Sequence, residues 1–186
     1  MPSLSEADQQ AILALARRAV TEAVCHHRRL EHIPNNGVFV EKRGVFVTLH
    51  VAKRLRGCIG VIEAKEPMGE AVAHCAQSAA LEDPRFSRMQ PADLPALKIE
   101  VSLLSPLEPI RPEDVEIGRH GLLIEQGLHR GLLLPQVAVE HKLDRECFLR
   151  ETCHKAGLPP DAWRAHDARL FAFTCEVFAD PGFHAQ

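Results

Sequence analysis

The residues best placed to do chemistry in this 186-residue chain gather around one thiol. Cys58 lies in the run Leu55-Arg56-Gly57-Cys58-Ile59-Gly60, between two glycines and just after the basic residues Lys53, Arg54 and Arg56. The thiolate, not the thiol, is the nucleophilic form of cysteine, and nearby cations favour it. His50 and Arg56 are spaced to place a base and a cation beside Cys58, which would give a cysteine nucleophile or a thiol acid/base. Gly57 and Gly60 would let a ligand approach the backbone closely. A structural reading competes: cysteine is among the residue types most often buried, and two glycines with a small thiol would equally let a helix pack on the strand.

Two strands must position this group. Val45, Val47, Leu49 and Val51 alternate with Phe46, Thr48 and His50, and Leu55, Gly57, Ile59 and Val61 alternate with Arg56, Cys58, Gly60 and Ile62. With Ala52-Lys53-Arg54 as the connection, Val51 pairs with Leu55, His50 with Arg56 and Thr48 with Cys58. Both apolar faces then coincide, whereas a one-residue slip would mix them. The opposite face carries Thr48, His50, Arg56 and Cys58 together. Upstream, Gly37 to Val51 as a whole reads as a hairpin turning near Gly44.

The flanking segments read as helices and half-buried strands. Ser5-Glu6-Ala7-Asp8 has the form of a capping box, and apolar residues recur at helical spacing to about His27. A second helix starts at Glu66-Pro67 and runs to about Leu81, with Cys75 on its apolar stripe; Asp83-Pro84-Arg85-Phe86 ends it, because a residue before proline disfavours the α region. Leu97, Ile99, Val101 and Leu103 form the inner face of a strand whose outer face holds Glu100 and Ser102. Val115 to Gly118, Gly121 to Glu125 and Gly131 to Leu134 are short strand candidates, with a turn between Gly127 and Gly131. Val137 to His141 is compatible with a helix start, Asp144 caps a helix reaching about Ala156, and Phe171 to Val177 reads as one terminal strand. The pattern predicts an α+β fold, an antiparallel or mixed sheet packed by helices, in a single domain over residues 1–186 with a smaller strand-rich lobe within 106–140.

Composition narrows the function classes. Lys and Arg number 22 against 25 Asp and Glu, and the chain has no Tyr and one Trp, which weighs against nucleic-acid binding and in favour of small molecules or other proteins as partners. Met1 to Gln10 lacks the basic and apolar regions of a leader, and no apolar run reaches membrane length, so a soluble cytoplasmic chain is expected. The six cysteines have no paired spacing and read as reduced thiols. Cys25-His26-His27 on a helix point in different directions, and the 11 histidines form no closed metal pattern. No metal site and no cofactor follows from these residues.

Several motifs together resemble the AMMECR-one domain family: Leu55 to Gly60, Asp83-Pro84-Arg85-Phe86, Glu100-Val101-Ser102, Ile117-Gly118-Arg119-His120-Gly121, Gly131 to Ala138, and Lys155-Ala156-Gly157-Leu158. They occur in the family's order along nearly the whole chain. The resemblance implies a single α+β domain with a larger and a smaller lobe and a cleft between them, and it marks the six residues Leu55 to Gly60 as the functional element. It also implies similarity to protein A of the AmmeMemoRadiSam system, encoded beside a radical SAM enzyme and a Memo-like protein. It supplies no reaction. Arg85, Glu100, Ser102, Arg119, His120, Gln136 and Glu140 are the candidates for substrate contacts around a catalytic Cys58, His50 and Arg56. Two classes stay open: an enzyme acting on a small metabolite through its thiol, and a module that binds such a metabolite or docks on those partners without turnover.

Overall fold

Ser5 opens the first helix by accepting the Asp8 amide on its Oγ, and α1 (Glu6–His26) ends where His27 turns left-handed at φ 53°. The computed structural model describes residues 4–63 and 65–183; Met1 to Ser3, part of the stretch read for a leader, lie outside them. The chain forms two compact units, Met1–Leu104 with Glu176–Gln186, and Ser105–Cys175.

In the first unit β1 (Gly44–Val51), β2 (Arg54–Val61), α2 (Met68–Leu81) and β3 (Leu97–Leu104) follow α1, and β8 (Cys175–Ala179) completes a sheet ordered β2-β1-β3-β8. Val45, Val47, Leu49, Ile99, Val101 and Leu103 are fully buried on one face, in a core shared with Ile12, Ala16 and Val20 of α1 and Val72, Ala76 and Ala79 of α2. Both helices therefore lie on that face. The alanines bring α2 close: a Cβ on Gly57 would stand 1.9 Å from the Ala79 carbonyl oxygen. Cys75 is buried in this core, where burial pushes its thiol up to about 12.

Two expectations for this unit are corrected. Gly37–Val40 is a short 3-10 turn, not a strand arm turning at Gly44; it sits on the start of α2, where the Glu41 carbonyl accepts the Met68 amide at 2.8 Å. The β1–β2 connection is a two-residue turn, Ala52-Lys53, with both φ angles positive (49° and 66°), as tight hairpins require. Val51 thus pairs with Arg54 and His50 with Leu55, and a bulge leaves Arg56 without a partner before Gly57 meets Leu49. Thr48 pairs with Cys58 as expected. The bulge compensates for the shorter turn and returns the apolar faces to coincidence.

The second unit contains β4 (Glu108–Pro109), β5 (Gly121–Gln126), β6 (His129–Leu133), α3 (Pro135–Glu140), α4 (Arg145–Lys155) and β7 (Arg169–Phe173), its sheet ordered β4-β7-β5-β6. It takes in α4 and β7 as well as the short strands expected within 106–140. Leu122, Ala138, Phe148 and Leu149 form one buried cluster, and Ile124, Cys153 and Ala156 another. Val115 to Gly118 is not a strand: Glu116 accepts the amides of Arg119 and His120, so local bonds take the groups a ladder would need. The terminal strand is likewise two strands, β7 and β8, in different sheets. The break falls at Thr174, whose N–H donates to Ser105 Oγ and whose carbonyl accepts the Ser105 amide, each at 2.9 Å. The fold is α+β with two four-stranded antiparallel sheets.

Candidate functional site

Cys58 lies on β2, an edge strand, and its backbone is engaged on the outer side. Its N–H donates to Asp83 Oδ2 at 2.9 Å, and its carbonyl accepts Arg85 Nη2 at 3.1 Å. Asp83 reaches the strand because α2 stops at Leu81 and Pro84 turns the chain, with the Phe86 amide closing on the Asp83 carbonyl at 3.1 Å. The buried Asp83 carboxylate also accepts Arg85 N at 3.1 Å, Nε at 2.9 Å and Nη2 at 2.7 Å. The Arg85 guanidinium, helped by the Cys58 amide, holds this carboxyl well below the usual range.

With its amide turned outward, Cys58 forms a non-hydrogen-bonded pair with Thr48, the arrangement that brings side chains closest. The Thr48 hydroxyl donates to Cys58 Sγ at 3.2 Å. On its other side Thr48 pairs with Glu100 of β3, so Cys58, Thr48 and Glu100 form one row across three adjacent strands. The next row is Gly60, Phe46 and Ser102; Ser102 is only 2% exposed, and the Phe46 ring fills the space over Gly60.

His50 shares this face but sits opposite Leu55 and Lys98. Its ring packs on Phe183 with centroids 4.7 Å apart, Nδ1 is buried without a hydrogen-bond partner, and burial lowers its pKa. The imidazole is therefore held neutral, not as the protonated partner a thiolate would need. Arg56, displaced by the bulge, donates to Ser87 O at 3.1 Å and Ser87 Oγ at 3.3 Å and pairs with Asp93 at 3.4 Å. It braces β2 to the loop after α2.

The remaining candidates lie in the second unit. Arg119 pairs with Glu116 at 2.9 Å, and His120 Nδ1 accepts the Glu116 amide at 3.1 Å. Gln136 is in the first turn of α3 and Glu140 is exposed at its end. Gly118 lies against Val139, so the turn that carries Arg119 and His120 sits beside the C-terminal end of that helix.

A family model described as AMMECR1 matches residues 13–178. The chain belongs to the AMMECR1 family. Protein TK0174 of Thermococcus kodakarensis is 46% identical over 181 residues, covering 91% of this chain and 88% of its own. Protein MK0488 of Methanopyrus kandleri is 44% identical over 179 residues, covering 91% and 86%. The crystal structure of the uncharacterized protein PH0010 from Pyrococcus horikoshii is similar to this fold with a TM-score of 0.88 at 39% identity, over 96% of this chain and 94% of that one.

The AMMECR1 match runs from α1 into β8 and includes the Cys58 row and the Asp83 corner. Chemically, the row offers a thiol, a hydroxyl and a carboxylate in sequence, on the face of the sheet opposite the helices. Two of its contributors escaped the sequence reading as site residues. Thr48 was legible as the direct partner of Cys58 in the expected register. Asp83 was not, because its contact joins residues 25 positions apart through the end of a helix. Among the described residues no group of three or more His, Cys, Asp or Glu side chains is arranged to hold a metal, and no helix is long and apolar enough to cross a membrane.

Proposed function

We propose that this AMMECR1-family chain acts on a small metabolite at the face of its first sheet opposite α1 and α2, with Cys58 as the reactive thiol. The observation that carries the reading is the Thr48 hydroxyl 3.2 Å from Sγ, in a row that continues to Glu100. A hydroxyl at that distance orients the sulfur and can relay its proton, as a cysteine nucleophile or acid/base requires. Thr48 thereby takes the supporting role first assigned to His50 and Arg56. Glu100 stands on the same face for substrate contact, with Ser102 buried in the next row beneath it, and Arg85 borders the face through the Cys58 carbonyl.

A second reading is favoured by a specific observation: His50 is kept neutral by burial, and Arg56 is engaged by Ser87 and Asp93. On that reading the face binds the metabolite without turnover. In either case we place the protein in a pathway with a radical SAM enzyme and a Memo-like protein on the family resemblance alone, and we propose a cytoplasmic location for it.

Iodoacetamide labelling of the native protein near pH 6, followed by peptide mass spectrometry, separates the two. A reactive thiol gives Cys58 labelling faster than that of the exposed Cys25, falling about tenfold or more in Thr48→Val. Labelling of Cys58 no faster than Cys25, unchanged in Thr48→Val, sinks the thiol chemistry and leaves the binding reading.

A further inference from the structure

On the outer side of α1 and α2, away from the sheet, a cavity of about 380 Å³ opens between the C-terminal ends of the two helices. We propose that it binds the oxyanion of a small metabolite, a phosphate or carboxylate group, independently of any chemistry at Cys58. Its lining is strongly basic. His27, Arg28 and Arg29 come from the end of α1, His74 from α2, and Arg88 from the loop beyond it, against the single carboxylate of Glu82. Arg28 is occupied by Glu22 at 2.7 Å and His74 by Glu66 at 3.0 Å, but Arg29 and Arg88 make no ion pair among the described residues. The Glu82 carboxylate already accepts the Ser78 hydroxyl at 2.8 Å.

A second observation points to an absent acceptor. Gln77 Nε2, in the same lining, is buried and has no hydrogen-bond partner. A buried donor left unmade costs free energy, and a rotation of the Gln77 side chain that carried Nε2 to the cavity wall would let an oxyanion accept it. Two unpaired guanidinium groups supply the planar forks that phosphate and carboxylate match. Two helix C-termini present carbonyls and negative dipole ends, which oppose an anion, so the affinity must come from the basic side chains. The volume falls in the range of small-molecule sites and exceeds what a bare oxyanion fills, leaving room for the rest of a metabolite. No Phe, Tyr or Trp side chain lines it for base stacking, which separates it from a nucleic-acid groove.

The test is titration of the full-length protein with inorganic phosphate and, separately, with citrate, at fixed ionic strength balanced by sodium chloride, followed by backbone amide NMR. Saturable shifts at residues 27–29, 77, 78 and 88 with either anion support the site, and the anion that saturates identifies phosphate or carboxylate as the group recognised. Arg29→Gln combined with Arg88→Gln, both at exposed positions, is expected to weaken binding about tenfold or more. Glu82→Gln, which removes the one negative charge from the lining, is expected to tighten it about threefold. Shifts that never saturate with either anion, or an affinity unchanged in the double variant, would overturn the proposal.

Discussion

Asp83→Asn tests the carboxylate that holds Cys58 in place. Four donors converge on Asp83: the Cys58 amide and the amide, Nε and Nη2 of Arg85. Asparagine keeps one acceptor oxygen and turns an NH₂ toward the others, so roughly two charge-assisted bonds are lost at about 1.5 kcal/mol each. The Arg85 side chain is 56% exposed and is rehydrated when its partner loses charge, which discounts the ion-pair part of the loss. The expected cost is about 2–3 kcal/mol at neutral pH, a fall in Tm of about 5–10 °C for a chain of this size. The sign of the pH dependence follows from the lowered pKa of native Asp83. An unfolded aspartate titrates near about 3.9, so below that pH the unfolded chain binds more protons than the native one. The contribution is therefore complete above that range and is lost as pH falls toward the native value. Urea unfolding of wild type and Asp83→Asn should show the full gap at about pH 7 and a narrower one at about pH 3. A gap below about 0.5 kcal/mol at neutral pH, or one equally wide in acid, would refute the reasoning.

Gly57→Ala places a methyl against the Ala79 carbonyl, a backbone atom that cannot swing away, and should cost about 3 kcal/mol or more. Gly127→Ala, with nothing within 4 Å but φ at +58°, should cost only about 1 kcal/mol, and equal melting temperatures for the two variants would contradict this packing. His50→Phe keeps the stack on Phe183 but removes a ring whose pKa burial lowers. Wild type should lose stability as pH falls below about 6.5, where unfolded His50 takes up a proton that the native ring resists, and His50→Phe should lose less. Parallel stability curves for the two between about pH 7.5 and 5.5 would show that His50 titrates alike in both states.

The parts of the fold legible in the sequence are those written by periodicity and caps. Ser5, Asp144 and the alternation from Leu97 to Leu103 each act within a few residues, and α1, α4 and β3 lie where they indicate. The register of Thr48 on Cys58 was legible because burial of one face penalises a slip. The bulge at Arg56 was not: it depends on Ala52 and Lys53 both adopting positive φ, which neither residue type favours. That single shift decides the site, since it sends Arg56 to Ser87 and Asp93 and sets Leu55 opposite His50. Phe171 to Val177 alternates without interruption, yet Thr174 divides it through bonds to Ser105, a partner 69 residues away.

The Asp83–Arg85 corner has a further consequence for how molecules of this protein meet. β2 ends its sheet, and an unprotected edge offers its amides and carbonyls to the strands of other chains. At Cys58 both groups are already taken by side chains of the protein's own Asp-Pro-Arg turn, which stands where an intruding strand would have to lie. Leu55 and Val61, the exposed apolar residues near either end of the strand, therefore flank a blocked centre. The contact that fixes the backbone of the thiol also keeps this edge from propagating into an intermolecular sheet.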